Sequence, residues 1–171
     1  MDEELERLFD EEAIQDKVRE LAALITRDYA GAELVIVCVL KAAAFFAADL
    51  ARSIAVPSRI AFVCASSYGN STIAVPEVDI SKDIEVDIAG KHVLVVDTIA
   101  NSGCTLAALT ARYVKRRPAS IRTSVLLDKR SRRTVEVHLD YVGFEIPDLF
   151  VVGYGMDFAE KYLNLPYIAA L

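Results

Sequence analysis

The chain has no tryptophan, two histidines and three cysteines in 171 residues, and each scarcity closes off a class of chemistry. Cys38, Cys64 and Cys104 are odd in number and lack CxxC spacing, so neither a disulfide framework nor a zinc site is expected, and a reduced, cytoplasmic setting suits them. Cys104 would stand near a helix start, where a thiolate is favoured, but neither histidine lies near it in sequence to act as a base, so it reads as a spacer. No basic segment precedes an apolar stretch in the acidic opening MDEELERLFDEE, which has the pattern of neither a signal nor a transit peptide. The apolar run Ala42 to Ala48 falls well short of the ~20 residues that cross a bilayer, so no membrane partner is expected. A formal charge of -6 argues against nonspecific nucleic-acid binding, although the basic run Lys129, Arg130, Arg132 and Arg133 could hold a small anion. Internal repeats, low-complexity tracts and linkers are missing too, which leaves one domain over 1–171, large enough to bury about 70% of its unfolded surface.

What is present is alternation. Ile14, Val18, Leu21, Ala22, Ile25 and Tyr29 recur at helical spacing and predict an amphipathic helix ending near Gly31. Leu34 to Leu40 is a continuous apolar strand, Ala43 to Ile54 a buried helix stopped before Pro57, and Arg59 to Ala65 another strand. SSYGNSTIAVPEVDISKDIEVDIAG then carries turn formers without helical period, as expected for a mobile loop flanked by short strands. Val93 to Val96, Ile121 to Leu127, Tyr141 to Phe144 and Phe150 to Tyr154 read as further strands, and Thr105 to Lys115 as a crossover helix. Strands alternating with helices predict an α/β fold with a doubly wound, mainly parallel twisted sheet, right-handed crossovers and helices on both faces. The late strands are expected to complete the sheet edge.

The stretch Lys91 to Leu109, KHVLVVDTIANSGCTLAAL, concentrates the chemistry. A buried strand ends at Asp97, small and polar residues turn the backbone, and a helix follows. Converging backbone N–H groups and the positive end of a helix dipole make such a turn a ready phosphate site. Most strand–turn–helix junctions bind nothing, however, so the pattern alone leaves both readings open.

The order Val93-Leu94-Val95-Val96, Asp97-Thr98, Ile99-Ala100, Asn101-Ser102-Gly103-Cys104-Thr105 resembles the phosphoribosyl-pyrophosphate (PRPP) loop of type I phosphoribosyltransferases. That loop has four apolar residues, two acidic, two apolar, then Asp-Ser/Thr-Gly-x-Thr. Val39-Leu40-Lys41, Ser66 to Thr72, Leu126 to Lys129, and Asp140 to Phe144 through Asp157 extend the resemblance over nearly the whole chain, with bacterial hypoxanthine-guanine phosphoribosyltransferases the most similar members. The resemblance implies a small hood, built from the terminal segments, over the doubly wound core. It also implies that Ser102, Gly103, Cys104 and Thr105 cradle the 5-phosphate, that Asp97 and Thr98 hold the ribose hydroxyls, and that Lys41, Ala42 and Arg133 serve the pyrophosphate end. Lys129 would donate to the purine 6-oxo group, where an amino group would leave both sides unpaired; by itself it reads as a solvated strand end. Phe150, which alone reads as core, would stack on the base while the Val151 backbone bonds its edge. Asp157 reads either as the N-cap of a short helix from Phe158 to Leu163 or, by resemblance, as a magnesium residue together with Asp97. Ser67 and Tyr68 either head an ordinary surface loop or match a lid that keeps water from an electron-deficient sugar.

Five positions depart from the resembling pattern. Asn101 stands at the general-base aspartate, and an amide accepts no proton near neutral pH. Thr98 replaces the second acidic residue, and Asp97 keeps the first as a shorter carboxylate. Ala42 replaces a glycine at a peptide that is cis in the family, Leu163 replaces a pyrophosphate-end arginine, and Cys104 fills a variable position. Two functions are therefore implied. One is magnesium-dependent transfer of phosphoribose from PRPP to hypoxanthine or guanine, giving IMP or GMP, with impaired catalysis. The other is a binding protein that senses purine nucleotide or PRPP. The resemblance and a mean hydropathy of +0.32 further imply a homodimer or homotetramer.

Overall fold

The computed structural model describes residues 5–67 and 78–171; Tyr68, one half of the lid expectation, lies outside them. At the centre of the larger sheet is β2 (Leu34–Leu40), whose uninterrupted apolar sequence LVIVCVL is buried along nearly its whole length, as a strand covered on both faces must be. The six strands run in the order β4-β3-β2-β5-β6-β7. They are β3 (Ser58–Ser67), β4 (Val78–Lys82), β5 (His92–Ala100), β6 (Ser120–Asp128) and β7 (Tyr141–Glu145) beside β2. All neighbours are parallel except β4, which runs antiparallel to the last four residues of β3, from Cys64 to Ser67. That pairing carries β3 beyond its apolar run, since its polar end is held by ladder bonds rather than burial.

α1 (Glu11–Asp28) begins at Asp10, whose carboxylate accepts from the Ala13 N–H at 2.8 Å, and buries the predicted stripe of Ile14, Val18, Leu21, Ala22 and Ile25. It packs against α2 (Ala44–Ser53), which lies over β2 and β5. α3 (Cys104–Val114) lies over β5, β6 and β3. From β2 the chain moves outward through α2 to β3, then returns to set β5 on the other side of β2 and moves outward through α3 to β6. Right-handed crossovers in opposite directions put α2 and α3 on opposite faces.

A second sheet has the order β1-β9-β8, entirely antiparallel, from β1 (Glu6–Phe9), β8 (Val151–Val152) and β9 (Ile168–Ala170). It is the hood. Two sequence expectations are corrected here. Only β7 completes the edge of the large sheet, because the Phe150 to Tyr154 strand shrinks to β8 and joins the hood. The helix expected from Phe158 to Leu163 does not form: Ala159, Glu160 and Tyr162 have φ of 51°, 66° and 70°, which excludes a right-handed helix. Asp157 instead accepts from the Glu160 N–H at 2.9 Å within a turn.

Candidate functional site

Because β2 and β5 are neighbours whose following segments leave in opposite directions, a crevice opens beyond their carboxyl ends. The cleft there has a volume of about 690 Å³. Lys41, Ala42, Asp97, Asn101 and Ser102 line it, with Gly103, Thr105, Ser67 and Asp157. Thus segments read separately along the chain meet at one place. Thr98, Cys104, Lys129, Arg133, Phe150 and Val151 are not among the lining residues.

The turn after β5 is built as its composition suggests. β5 ends at Ala100, residues 101–103 reverse the chain, and Gly103 enters α3 at φ +86°. No acidic residue occupies the first turn of α3 and no side chain of Gly103 caps it, whereas Asp10, Glu11 and Glu12 supply negative charge to α1. The start of α3 therefore keeps N–H groups and a positive dipole end for an external anion. Behind the turn, Ser102 O accepts from the N–H groups of Thr134 and Val135 at 3.0 and 3.1 Å. A Cβ on Gly103 would meet Val135 O at 2.9 Å and Val137 Cγ1 at 2.9 Å. Gly103→Ala should accordingly lower stability by about 1–3 kcal/mol, from left-handed strain and this collision, and weaken phosphate binding further; urea unfolding and phosphate titration measure the two effects.

Arg133 lies behind this turn rather than in the cleft. Its Nη2 pairs with the carboxylate of buried Asp128, and its Cδ would lie 3.0 Å from a Cβ on Gly103. It braces the cradle. Cys104 is buried with Sγ 3.8 Å from Thr134 Oγ1, in keeping with a packed spacer.

Asp97 follows the buried run Val93 to Val96 of β5 and accepts from the Thr98 N–H at 2.7 Å. Burial pushes its carboxyl up to about 7, against the pull of the Thr98 and Ile99 amides, while the side open to the cleft lets solvent or ligand draw that value down. In the metal-free protein, an unfolded chain loses this proton near the ordinary carboxyl value and the folded chain holds it to about 7. The resulting stabilisation is full below about pH 4 and is lost as pH rises from 4 to 7, by up to about 1.4 kcal/mol per unit. Asp97→Asn should remove that slope from a series of urea midpoints. Asp28, hydrogen-bonded by Tyr141, is held below the ordinary carboxyl value. Asp49 and Asp83 are also held below it, their hydrogen bonds overcoming burial. Those three groups act below this window.

Thr98 is fully buried and donates its hydroxyl to Ala42 O at 2.8 Å, so it ties the exit of β5 to the loop after β2. The cis peptide is the Leu40–Lys41 bond, one link ahead of Ala42. Ala42 is absent from the left-handed residues, so its Cβ brings no backbone strain. Lys41 is exposed and pairs with Glu160 at 3.3 Å, which links it through the Glu160 N–H to Asp157.

Lys129 follows β6, and its N–H bonds Ala100 O at 3.0 Å, holding the exits of β5 and β6 together. It is buried, and burial lowers the pKa of its ammonium, partly offset by Asp148. No hydrogen bond to its Nζ is made among the described residues. Phe150 is 53% exposed, with Phe158 edge-on at 5.6 Å. Val151 is buried in β8. The turn after β8 bends back to the cleft at Gly155 and Asp157. Sequence reasoning missed Glu160 and Gly155; for Gly155 the signal was two glycines flanking Tyr154, a pattern of close backbone approach. Asp97 and Asp157 offer oxygen donors on one cleft, and no group of three metal-binding side chains occurs among the described residues. That suits a hard cation which keeps its waters and takes phosphate oxygens from a substrate, not a protein-caged metal.

The model of the family described as "Phosphoribosyl transferase domain" matches residues 4–159. The hypoxanthine-guanine phosphoribosyltransferase of Bacillus subtilis is 45% identical over 164 residues, 96% of this chain and 91% of that protein. The hypoxanthine phosphoribosyltransferase of Salmonella typhimurium is 43% identical over 166 residues, 96% of this chain and 93% of that one. A crystal structure of a Bacillus anthracis hypoxanthine-guanine phosphoribosyltransferase, with HEPES in its active site, superposes with a TM-score of 0.94 at 48% identity, covering 98% of this chain and 99% of that one.

Proposed function

This chain belongs to the phosphoribosyl transferase family, and from that membership we propose that it transfers the 5-phosphoribosyl group of PRPP to N9 of hypoxanthine or guanine. IMP or GMP and pyrophosphate are the products, the setting is cytoplasmic, and residues 1–171 act as one domain. The observation that carries this reading is the meeting of the phosphate turn with Asp97, Asn101, Lys41 and Asp157 in one cleft.

In the reaction the C1–pyrophosphate bond breaks, the sugar gains cationic character, N9 bonds to C1, and the base loses a ring proton. The amides of the 102–105 turn hold the 5-phosphate, and Asp97 holds the ribose hydroxyls. Lys41 releases Glu160 to meet the charge that develops on the leaving group. Lys129 donates to the 6-oxo group, Phe150 stacks on the ring and the Val151 backbone bonds its edge. Ser67 and Tyr68 belong to the segment proposed to exclude water. Magnesium, when bound at Asp97 and Asp157, neutralises the pyrophosphate oxygens. Asn101 faces the cleft where the ring proton departs and cannot accept it, so turnover is slowed.

A second reading, a sensor that binds purine nucleotide or PRPP, is favoured by that amide and by Thr98, whose hydroxyl is committed to Ala42. Paired titration and turnover with GMP, IMP and PRPP in magnesium separates the two. Binding with turnover supports the enzyme, binding without turnover supports the sensor, and absence of binding removes both. Exposed Phe45, Ile60 and Phe62 support self-association as a homodimer or homotetramer, which light scattering tests.

A further inference from the structure

The turn at 153–156 is fastened from two directions. On one side, Gly153 N–H bonds Met156 O at 2.8 Å, Tyr154 N–H bonds Leu165 O at 2.9 Å, and Gly155 N–H bonds Leu163 O at 2.9 Å. On the other, Tyr154 sends a buried ring inward, and its hydroxyl donates to Asp49 Oδ2 at 2.6 Å. Asp49 belongs to α2 and also accepts from Gln15 Nε2 of α1 at 2.9 Å, with Arg52 on its outer oxygen. Burial opposes the charge of Asp49, yet the hydrogen bonds from Tyr154, Gln15 and Arg52 prevail and keep it ionised. One carboxylate thus joins α1, α2 and the hood turn.

Tyr154 adopts φ +50°, an unfavourable conformation for a bulky residue unless its surroundings hold it. The next residue shows what that conformation achieves. Gly155 lies so close to the loop after β2 that a Cβ there would be 2.1 Å from Ala42 O, and that same oxygen accepts the Thr98 hydroxyl. Three segments converge on one peptide: the exit of β2 with Lys41, the exit of β5 with Asp97, and the turn that carries Asp157.

We propose that Tyr154 and Asp49 are positioning residues: their hydrogen bond seats the 153–156 turn on the Ala42 peptide and so fixes the purine side and the pyrophosphate side of the cleft as one body. The names of these two sides rest on the function proposed above. Neither residue lines the cleft. Loss of the bond loosens the seat, and both sides weaken together although the change is made beneath only one of them.

The test compares the parent with Tyr154→Phe, which keeps the ring beside Phe45 and removes only the hydroxyl, and with Asp49→Asn as a second variant. Arg52→Ala is the control, since Arg52 is 77% exposed and meets the other oxygen of Asp49. Amide exchange is followed at Gly155 and at Ala43, whose N–H bonds Val39 O. GMP and magnesium pyrophosphate are titrated separately. In both test variants, exchange at Gly155 and Ala43 should accelerate about tenfold or more while β5 and β6 stay protected, and both affinities should fall by about tenfold; the control should stay within about twofold. Uniform acceleration across the sheet, or acceleration at Gly155 with Ala43 and pyrophosphate affinity unchanged, overturns the proposal. If the parent binds neither ligand, the functional reading fails, and the exchange comparison still decides whether the turn and the Ala42 loop move as one.

Discussion

Asn101→Asp is expected to accelerate phosphoribosylation of hypoxanthine by about 10² to 10⁴ while leaving GMP affinity within a few-fold, the signature of a group that acts on the proton in flight rather than on the bound nucleotide. Asn101 is exposed on the cleft, so a carboxylate there is solvated and brings no burial penalty. The gain is bounded by what else is missing, because groups that act as a unit do not add. Leu163→Arg is the partner change to combine with it. Position 163 serves the Gly155 turn through its backbone carbonyl, which any side chain leaves in place, so the double variant should exceed the product of the single gains. Thr98→Asp is a poor companion, because it would set a carboxylate against the Ala42 carbonyl that now accepts a hydroxyl proton. Initial rates with saturating PRPP and magnesium decide the matter. A parent rate of roughly 1 s⁻¹ or faster, the low end of ordinary enzymes, would sink the idea that Asn101 is a handicap.

Lys129 should make the protein prefer GMP or IMP over AMP by about 10²-fold or more. Lys129 is a largely buried residue whose ammonium makes no hydrogen bond among the described residues, so a 6-oxo group would supply an acceptor that those residues do not. A 6-amino group would oppose donor to donor and strand both. Lys129→Met keeps much of the volume and removes the charge, so GMP affinity should fall to near that of AMP. Because burial already lowers the Lys129 pKa, the preference should weaken as the ammonium deprotonates at alkaline pH, sooner than an exposed lysine would allow. Equal affinities of the parent for GMP and AMP would remove Lys129 from the base site.

The doubly wound core was legible because its signals are local. LVIVCVL and VLVV have no polar residue to offer solvent, and the α1 stripe repeats at helical spacing, so strand and helix follow from burial alone. The strand–turn–helix at 97–105 was legible because small and polar residues break a buried run before helix formers resume, and Gly103 takes the φ of +86° that such a turn needs. The small sheet was legible only through resemblance. ERLF and IAA are too short for a period to show, and they pair with each other from opposite sides of the core in chain order, with β8 on the far side of IAA. The failed helix after Asp157 shows the reverse: FAEKYL has good helix formers, but Phe158 and Lys161 bond each other's backbone and Leu163 O accepts from Gly155, with Ala159, Glu160 and Tyr162 in left-handed conformations. Which side of the turn Arg133 takes was not legible, because spacing gives distance along the chain and not the direction of a side chain. Its partner Asp128 lies in the strand before it.

The hood has a central strand, β9, that lies between β1 and β8, with Glu6 opposite Ala170. In chain order β1 precedes β2 to β7 and its neighbour β9 follows them, so β1 can pair only after every strand of the large sheet has been made. Of the two sheets, the one beside Phe150 and Val151 is therefore the later to close.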